Sequence, residues 1–326
     1  MADGPVQRVP ARIWFVLPTY RDTASFVLLR EAVLRQVAEM PQPIERVSFV
    51  VVDDTAGSDP EIEQLGELPD VLVVTPPFNL GHQRAIVFGL RTIRSSLAPT
   101  DYVVTMDSDG EDRAEDVPKL IDRLRDDEDR LDMVVVARRT KRSEPFTFRA
   151  LYVGFVLLFR LLTGTTIRSG NFAAQRGHFV RNAIDHPSFD LCYSSSLIKL
   201  KREIVYVPCP RGERLAGESR MGLQSLLVHG VRMMLPFADQ IAVRSLIVFA
   251  GFLGATIVAG VAFLVSALVF DADFGGTLLA LLVVGVSLSF LSLGTFLALF
   301  SGFAQSSAAG LKGIEVMAPL PSERST

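Results

Sequence analysis

Short apolar runs alternate with longer segments of helical spacing through the first half of the chain. The runs are nearly continuous instead of alternating with polar residues, which is typical of strands buried on both faces. They lie at residues 12–17, 47–52, 71–74, 103–106 and 132–137. Between them, residues 23–39 have helical spacing, and a second helix is expected at about 85–95. This order predicts an α/β domain with a mostly parallel sheet covered by helices.

One of these predicted strands, 103–106, ends in a dense group of carboxylates. Asp107, Asp109, Glu111 and Asp112 follow it within a few residues. Two carboxylates spaced i, i+2 at a strand end can share one hard cation. Mg²⁺ or Mn²⁺ in such sites is usually shared with substrate phosphates as well. The alternative is an acidic loop that caps the following helix, since acids favour helix N-termini.

Polar residues also follow the other predicted strands. They are Tyr20, Asp22, Asp53, Asp54, Asn79 and Arg138. Ligands of open α/β sheets bind beyond the carboxyl ends of the strands, so we expect these side chains to converge with Asp107 and Asp109. No G-x-G-x-x-G motif follows the first strand and no G-x-x-x-x-G-K-[ST] motif is present. Neither a dinucleotide-binding fold nor a P-loop is therefore indicated.

The apolar content is concentrated near the C-terminus. The net charge of −3 offers no basic field for nucleic acid, and the mean hydropathy is positive at +0.32. Residues 246–270 and 277–300 contain no charge, and each exceeds the roughly 20 residues that cross a bilayer. Arg244 before the first span and Lys312 after the second predict a helical hairpin with both ends in the cytoplasm.

Two further apolar stretches contain charges. Residues 146–162 include Arg149 and Arg160, each of which would cost about 3 kcal/mol at a bilayer centre. Residues 221–241 also carry interspersed charges and are predicted to form a juxtamembrane helix. Both stretches are expected to lie at the membrane surface, which would bring the active site close to the headgroups. The alternative is that both are ordinary core helices.

The strand-end motifs together resemble glycosyltransferase family 2 of the GT-A fold, over roughly residues 12–235. Within it they are most similar to the dolichol-phosphate mannose synthase and polyprenyl-phosphate glycosyltransferase group. The motifs are Pro18-Thr19-Tyr20, Asp53-Asp54, Asn79-Leu80-Gly81, Asp107-Ser108-Asp109, Arg138, and the late set Arg214, Gly217, Ser219 and Arg220. Four positions depart from the family pattern, with Asp22, Glu111, Asn171 and Arg220 where Glu, Gln, an acid and Lys are common.

The resemblance implies roles for individual residues. The residues implied in catalysis are Asp107, Asp109, Arg138 and Arg220. Those implied in binding the nucleotide-diphosphate sugar are Pro18, Tyr20, Asp22, Asp53, Asn79, Asp107, Ser219 and Arg220. Those implied as ligands of Mg²⁺ or Mn²⁺ are Asp107, Asp109 and Glu111. The candidates for the acceptor phosphate are Arg138 and Arg142.

These observations lead us to expect a membrane-anchored, metal-dependent, inverting glycosyltransferase. It would move one sugar from a nucleotide-sugar donor to a polyprenyl-phosphate-type lipid, whose phosphate is ionised near pH 7 and needs no general base. One alternative is transfer to a lipid hydroxyl such as that of diacylglycerol, with Asp112 or Glu115 as the base. Another is a non-catalytic membrane scaffold that binds nucleotide sugars.

The expected organisation has four parts. They are a cytosolic GT-A catalytic domain at 1–219, a juxtamembrane amphipathic segment at 220–244, two transmembrane helices within 245–304 and a cytosolic tail at 305–326. The transmembrane helices also offer a surface for homo-oligomers.

Overall fold

The computed structural model describes residues 12–140, 146–167, 171–200, 203–216, 223–270 and 275–308. These residues form two compact units. One unit holds the described residues up to 148 together with those from 167 to 236. The other holds residues 149–166 and the described residues from 237 onward.

The first unit is built on a sheet of seven strands in its described part. They are β1 (Arg12–Thr19), β2 (Arg46–Asp53), β3 (Val71–Val74), β4 (Tyr102–Thr105), β5 (Val134–Arg139), β6 (Ala173–Arg176) and β7 (Ile204–Cys209). Their order across the sheet is β3-β2-β1-β4-β6-β5-β7. Only β6 runs antiparallel to its neighbours β4 and β5, and the other pairings are parallel. The prediction of a mostly parallel α/β sheet is confirmed.

Ten α-helices lie in the described part of the chain. Those that begin in the first half of the chain are α1 (Thr23–Ala38), α2 (Pro60–Gln64), α3 (His82–Ile93), α4 (Val117–Arg125) and α5 (Phe146–Thr163). Those that follow are α6 (Gly177–Ala183), α7 (Tyr193–Lys199), α8 (Leu223–Met234), α9 (Ala238–Phe270) and α10 (Gly275–Ala308).

Burial on both faces of the sheet explains why the strands are continuously apolar. On the α1 side, the rings of Phe15 and Phe49 stack with their centroids 5.1 Å apart. On the other side, α3 lies so close that a Cβ on Gly89 would sit 2.7 Å from side-chain atoms of Val16 and Val52. Glycine at position 89 therefore allows the helix to reach the sheet, and this contact fixes where the first turn of α3 lies.

Hydrophobic patterning predicts neither β6 nor β7. Strand β6 has the sequence AAQR, which contains only two small apolar residues. Its Arg176 is buried, and the guanidinium lies 4.3 Å from the centre of the Tyr102 ring and donates to the carbonyls of Thr100 and Leu124. A buried charge paired with an aromatic ring leaves no apolar run, so hydrophobic patterning does not reveal this strand.

The second unit contains a helical hairpin. Ser292 Oγ donates to the carbonyl of Ser245 at 2.8 Å, and a Cβ on Gly285 would meet Thr256 Oγ1. These pairs run in opposite directions along α9 and α10, so the two helices are antiparallel. Two described stretches are long and apolar enough to cross a membrane by length and composition, Val228–Ser266 and Gly275–Leu297.

Helix α5 belongs mostly to this second unit. Its Phe159 is fully buried and packs against the ring of Phe237 at 5.5 Å between centroids. Arg244 Nη1 donates to the carbonyl of Leu161 at 2.8 Å. Val153 and Leu157 are exposed on the same helix. The location of this helix at the membrane surface stays a prediction.

The prediction of one continuous helix over residues 221–241 is wrong. Helix α8 ends at Met234, a short 3₁₀ turn spans Leu235–Phe237, and α9 begins at Ala238. The break contains Pro236, which cannot donate a backbone hydrogen bond within a helix. The apolar span predicted at 246–270 therefore belongs to a longer helix than its composition alone indicated.

Candidate functional site

The acidic loop after β4 is folded back on itself at the carboxyl end of the sheet. The Asp107 N–H donates to Asp112 Oδ2 at 3.0 Å, and the Glu111 N–H donates to Asp109 Oδ1 at 2.9 Å. Gly110 allows the turn because its φ is +87°. The helix-cap interpretation gains no support here, since α4 begins after Asp116 without a side-chain capping hydrogen bond.

Asp107 is held by two side chains from other elements. His82 Nε2, in the first turn of α3, lies 3.0 Å from Asp107 Oδ1. Asn171 Nδ2 donates to the same oxygen at 3.3 Å and also lies against His82 Nε2. Burial alone would raise the pKa of Asp107, but His82, Arg139 and Asn171 together hold it below its usual range. Asp107 is therefore an ionised carboxylate in the folded protein.

The pKa values of the neighbouring carboxyls, Asp109 and Asp112, are raised. Burial, and then the charge of Asp107, raise the pKa of Asp109 to about 6. The same two causes raise the pKa of Asp112 to about 7. Asp109 is partly compensated by Arg214, whose Nη2 lies 2.8 Å from Asp109 Oδ2. Asp107 thus disfavours ionisation of both neighbouring carboxyls.

Two arginines, Arg139 and Arg211, form ion pairs with the last two carboxylates of the loop, Glu111 and Asp112. Arg139, the last residue of β5, donates to Glu111 at 3.2 Å and to Asp112 at 3.0 Å. Burial opposes ionisation of Arg139, but Asp112 and Asp107 raise its pKa overall. Arg211 donates to both Glu111 oxygens at 2.7 Å. Glu111 is therefore held by cations on two sides.

Arg138 is the arginine predicted from the sequence to act in catalysis, but its neighbour Arg139 is the one that contacts the acidic loop. The Arg138 side chain is exposed and has no hydrogen bond or ion pair within the described ranges. Successive side chains of a strand point to opposite faces, so Arg139 shares the face of Ala137 and Val135, towards the acidic loop. This alternation was the available signal for Arg139, and the role of Arg138 stays a prediction.

The predicted nucleotide-binding residues lie at the ends of β1, β2 and β3. Asp53 accepts from the Thr55 N–H and the Gly57 N–H, both at 2.9 Å, so its carboxylate organises its own turn. Asp54 Oδ1 accepts from the Leu80 N–H at 2.8 Å. Asn79 Nδ2 donates to the Asp54 carbonyl at 2.5 Å. Asn79 and Asp54 therefore tie the loop before α3 to the end of β2.

The remaining predicted residues border the acidic loop. The carbonyl of Pro18 accepts from Ser108 Oγ at 3.1 Å. Arg214 links Asp22 to Asp109, with its Nη1 3.3 Å from Asp22 Oδ1. Tyr20 is exposed beside this edge. Ser219, Arg220 and Arg142 lie outside the described residues.

A buried amide network behind Asp107 was missed by the sequence analysis. Gln83 Oε1 accepts from the Ser194 N–H at 3.0 Å, from Ser194 Oγ at 3.1 Å and from Cys192 Sγ at 3.2 Å. With its oxygen fixed in this way, Gln83 directs its Nε2 to Asn171 Oδ1. Asn171 must then turn its own NH₂ group towards Asp107. Only the position of Asn171 next to a family motif gave any signal for this network.

The carboxylates fit a divalent cation that is shared with a substrate. In the described part of the chain, no group of three or more His, Cys, Asp or Glu side chains is arranged to hold a metal by itself. Mg²⁺ is usually held by one or two carboxylates, with substrate phosphates and waters completing its shell. Asp107 and Asp109 offer that smaller set, and a cation between them would relieve the repulsion that raises the pKa of Asp109.

Comparison with curated proteins finds similar chains among bacterial lipid-phosphate sugar transferases. The undecaprenyl-phosphate 4-deoxy-4-formamido-L-arabinose transferase of Proteus mirabilis is 24% identical over 299 residues, which cover 87% of this chain and 86% of that protein. The enzyme of the same name from Edwardsiella ictaluri is 26% identical over 236 residues, covering 65% of this chain and 63% of that protein.

Comparison with solved structures gives weaker similarity. A 4-diphosphocytidyl-2C-methyl-D-erythritol synthase overlaps 69% of this chain and all of its own length with a TM-score of 0.37 and 13% identity. The Francisella tularensis 2-C-methyl-D-erythritol 4-phosphate cytidylyltransferase has the same TM-score at 11% identity, covering 64% of this chain and 95% of its own. Overlap at this level adds nothing to the fold described above.

The sequence profile described as Glycosyl transferase family 2 matches residues 14–184. The match runs from β1 to α6 and includes the acidic loop with Asp107 and Asp109, as well as Asp53, Asn79 and Asn171. It covers more than half of the chain. The chain therefore belongs to glycosyltransferase family 2.

Proposed function

We propose that this protein is a membrane-anchored, inverting glycosyltransferase that moves one sugar from a nucleotide-sugar donor to a polyprenyl-phosphate-type lipid. One observation supports the proposal most strongly. The Asp107 and Asp109 loop lies at the carboxyl end of the central strand β4, next to the strand ends that carry the predicted nucleotide-binding residues, in a family 2 chain. The curated relatives, whose names specify undecaprenyl phosphate, support the acceptor class.

In this proposal, Asp107 and Asp109 would hold Mg²⁺ or Mn²⁺, and the ion would supply the positive charge that a departing diphosphate needs. Glu111 is assigned a different function because two arginines, Arg211 and Arg139, hold its carboxylate. It keeps the two arginines beside the acidic loop. Glu111 would have to give up these ion pairs to become a third ligand. Asp109 has an ion pair with one arginine, Arg214, in the described part of the chain and would exchange that pair for the metal.

The remaining predicted residues, Arg138 and Arg220, are assigned to positioning the acceptor phosphate and the donor diphosphate. A lipid phosphate is already ionised near pH 7, so its oxygen attacks the anomeric carbon without a general base. Attack from the face opposite the leaving diphosphate inverts that carbon. Exposed Arg138 remains our candidate for guiding the acceptor phosphate, and Arg220 for closing over the diphosphate.

The lipid-hydroxyl alternative has less support because its candidate bases are engaged. Both Asp112 oxygens accept hydrogen bonds, Oδ1 from Arg139 and Oδ2 from the Asp107 N–H. Asp112 is only 4% exposed, which leaves little of its carboxylate accessible to a bound lipid. Glu115 is an exposed side chain paired with Arg113 at 3.2 Å.

We further propose that α9 and α10 cross the membrane with both ends of the hairpin in the cytoplasm. Arg244 precedes the first apolar span and Lys312 follows the second, whereas Asp271 and Asp273 lie between them. The excess of basic residues on the outer flanks favours this orientation. The catalytic unit would then lie in the compartment where nucleotide sugars are made.

Product analysis tests the reaction class directly. The full-length protein in lipid nanodiscs is supplied with Mg²⁺, a panel of nucleotide sugars, and either undecaprenyl phosphate or diacylglycerol. We expect one donor to give a sugar-phosphate lipid from undecaprenyl phosphate and no product from diacylglycerol. Product from diacylglycerol alone would favour the hydroxyl acceptor. Nucleotide-sugar binding without any product would favour the scaffold.

A further inference from the structure

A group of basic side chains lies beside the acidic loop and is not used in the function proposed above. Arg232 of α8 reaches across to the start of α3, where its Nη1 lies 3.2 Å from the position that a Cβ on Gly81 would take. Glycine at position 81, with a φ of +76°, leaves room for this guanidinium. The next residue, His82, contacts Asp107. Arg232 therefore lies against the residue that precedes His82, and His82 contacts the predicted metal ligand Asp107.

A second guanidinium lies close to the first. Arg84 is half-buried in the first turn of α3, and its Nε donates to the carbonyl of Leu80 at 3.0 Å. Burial, and then the positive charge of Arg232, lower the pKa of Arg84. Neither arginine has a carboxylate within ion-pair distance among the residues that the structure describes. Asp54 and Asp190 act on Arg84 in the opposite direction, although neither forms an ion pair with it in the described part of the chain. An anion between the two guanidinium groups would relieve their mutual repulsion.

The same face of α8 is apolar next to Arg232. Val228 and Val231 are 45% and 52% exposed. Positions 228, 231 and 232 lie on one side of a helix because residues three and four apart are neighbours. An exposed apolar surface adjoining two arginines matches a ligand with an anionic head and an apolar chain. A free phosphate or a nucleotide diphosphate would make no use of the two valines.

We propose that Arg232 and Arg84 form a subsite for the phosphate of a lipid phosphomonoester, with its isoprenoid chain lying along Val228 and Val231. This inference rests on the proposed polyprenyl-phosphate acceptor and adds the residues that hold its phosphate once bound, whereas Arg138 is assigned only to guiding its approach. Gly81, which Arg232 approaches, is followed by His82, and His82 contacts Asp107, so a phosphate in the subsite would lie near the residue that would hold the metal. An arginine guanidinium can donate two parallel hydrogen bonds to phosphate oxygens, whereas a lysine ammonium acts as a point charge.

Binding of farnesyl phosphate to the full-length protein in detergent micelles tests the subsite. The variants are Arg232→Gln, Arg84→Gln and the double variant Val228→Asn/Val231→Asn. The control is Arg123→Gln, which removes an ion pair on the distant helix α4. Farnesol and inorganic phosphate are compared as ligands with the apolar chain only and the anion only.

We expect each arginine variant to weaken farnesyl phosphate binding about ten-fold or more, since a hydrogen bond to a charged group contributes about 1.5–3 kcal/mol. The valine variant should weaken farnesyl phosphate and leave inorganic phosphate unchanged. Arg123→Gln should match the wild type. In turnover, Arg232→Gln should raise the KM for the lipid and leave the KM for the donor unchanged.

Three results would overturn the inference in distinguishable ways. Wild-type affinity in both arginine variants would remove the subsite and leave the proposed reaction standing. Arginine variants that lose inorganic phosphate and farnesyl phosphate equally, with no effect of the valine variant, would make it a site for soluble anions. No binding of farnesyl phosphate by the wild type would contradict the lipid-phosphate acceptor itself. Arg232 is exposed, so its variant is expected to fold and keeps the test informative.

Discussion

The amide network behind Asp107 gives a quantitative prediction. Gln83 is only 6% exposed and does not contact Asp107 itself. It acts by fixing the orientation of Asn171, which donates to Asp107 Oδ1 at 3.3 Å. Replacing Gln83 with Leu keeps most of the side-chain volume and removes every hydrogen bond of the amide. The substitution should therefore affect both the stability of the fold and the position of Asp107.

The expected magnitudes follow from the groups that lose their partners. Gln83→Leu leaves the Ser194 N–H and the Asn171 side-chain carbonyl without the hydrogen bonds they make to Gln83. Each buried unsatisfied group costs about 1–3 kcal/mol, so we expect unfolding to become easier by about 2–6 kcal/mol. Loss of an oriented donor to the ionised Asp107 should lower kcat about ten-fold or more.

A double-mutant cycle with Asn171→Ala separates positioning from general damage. If Gln83 acts on Asp107 through Asn171, Gln83→Leu should have little further effect on kcat once Asn171 is Ala. The assays are glycolipid formation for kcat and thermal denaturation for stability. Thr92→Val is the matched control, because it removes a buried hydrogen bond to Phe88 on the same helix, outside the network. An equal loss of kcat in both backgrounds would refute the reasoning.

Two further predictions concern the arginines of β5 and the membrane anchor. Arg139→Gln should destabilise the fold by about 3 kcal/mol, because it leaves buried Asp112 without its cation, whereas Arg138→Gln should leave the melting temperature unchanged. Equal melting temperatures for the two variants would contradict this. A chain ending at residue 244 lacks nearly all of the apolar hairpin and should appear in the soluble fraction after ultracentrifugation. Retention in the membrane pellet would show that α5 and α8 suffice as anchors.

Hydrophobic patterning was enough to predict the elements whose burial is uniform. The continuous apolar runs of β1 and β2 identify buried parallel strands, and their carboxyl ends locate the polar residues around Asp107. The same logic fails for β6, where Arg176 is buried against Tyr102 and the apolar signal is lost. It also overlooked the break at Pro236, because the surrounding residues are apolar on both sides of it.

The details of the site depended on contacts between residues that are far apart in the chain. Arg138 and Arg139 are adjacent and chemically identical, and only the register of β5 decides which one faces the acidic loop. Gln83 and Asn171 meet across a separation of 88 positions, so no local pattern reveals them. The histidine at position 82 showed no metal-ligand spacing, and its contact with Asp107 follows from the packing of α3 against the sheet.

The central claim is that Asp107 and Asp109 hold a divalent cation through which the donor diphosphate is bound. Its most direct test is the dependence of glycolipid formation on Mg²⁺ or Mn²⁺ concentration, compared between the wild type and Asp109→Ala. We predict that chelation abolishes turnover and that added metal restores it in the wild type. Asp109→Ala should lower the rate about a hundred-fold or more even at saturating metal. Turnover that survives both chelation and Asp109→Ala would contradict the claim.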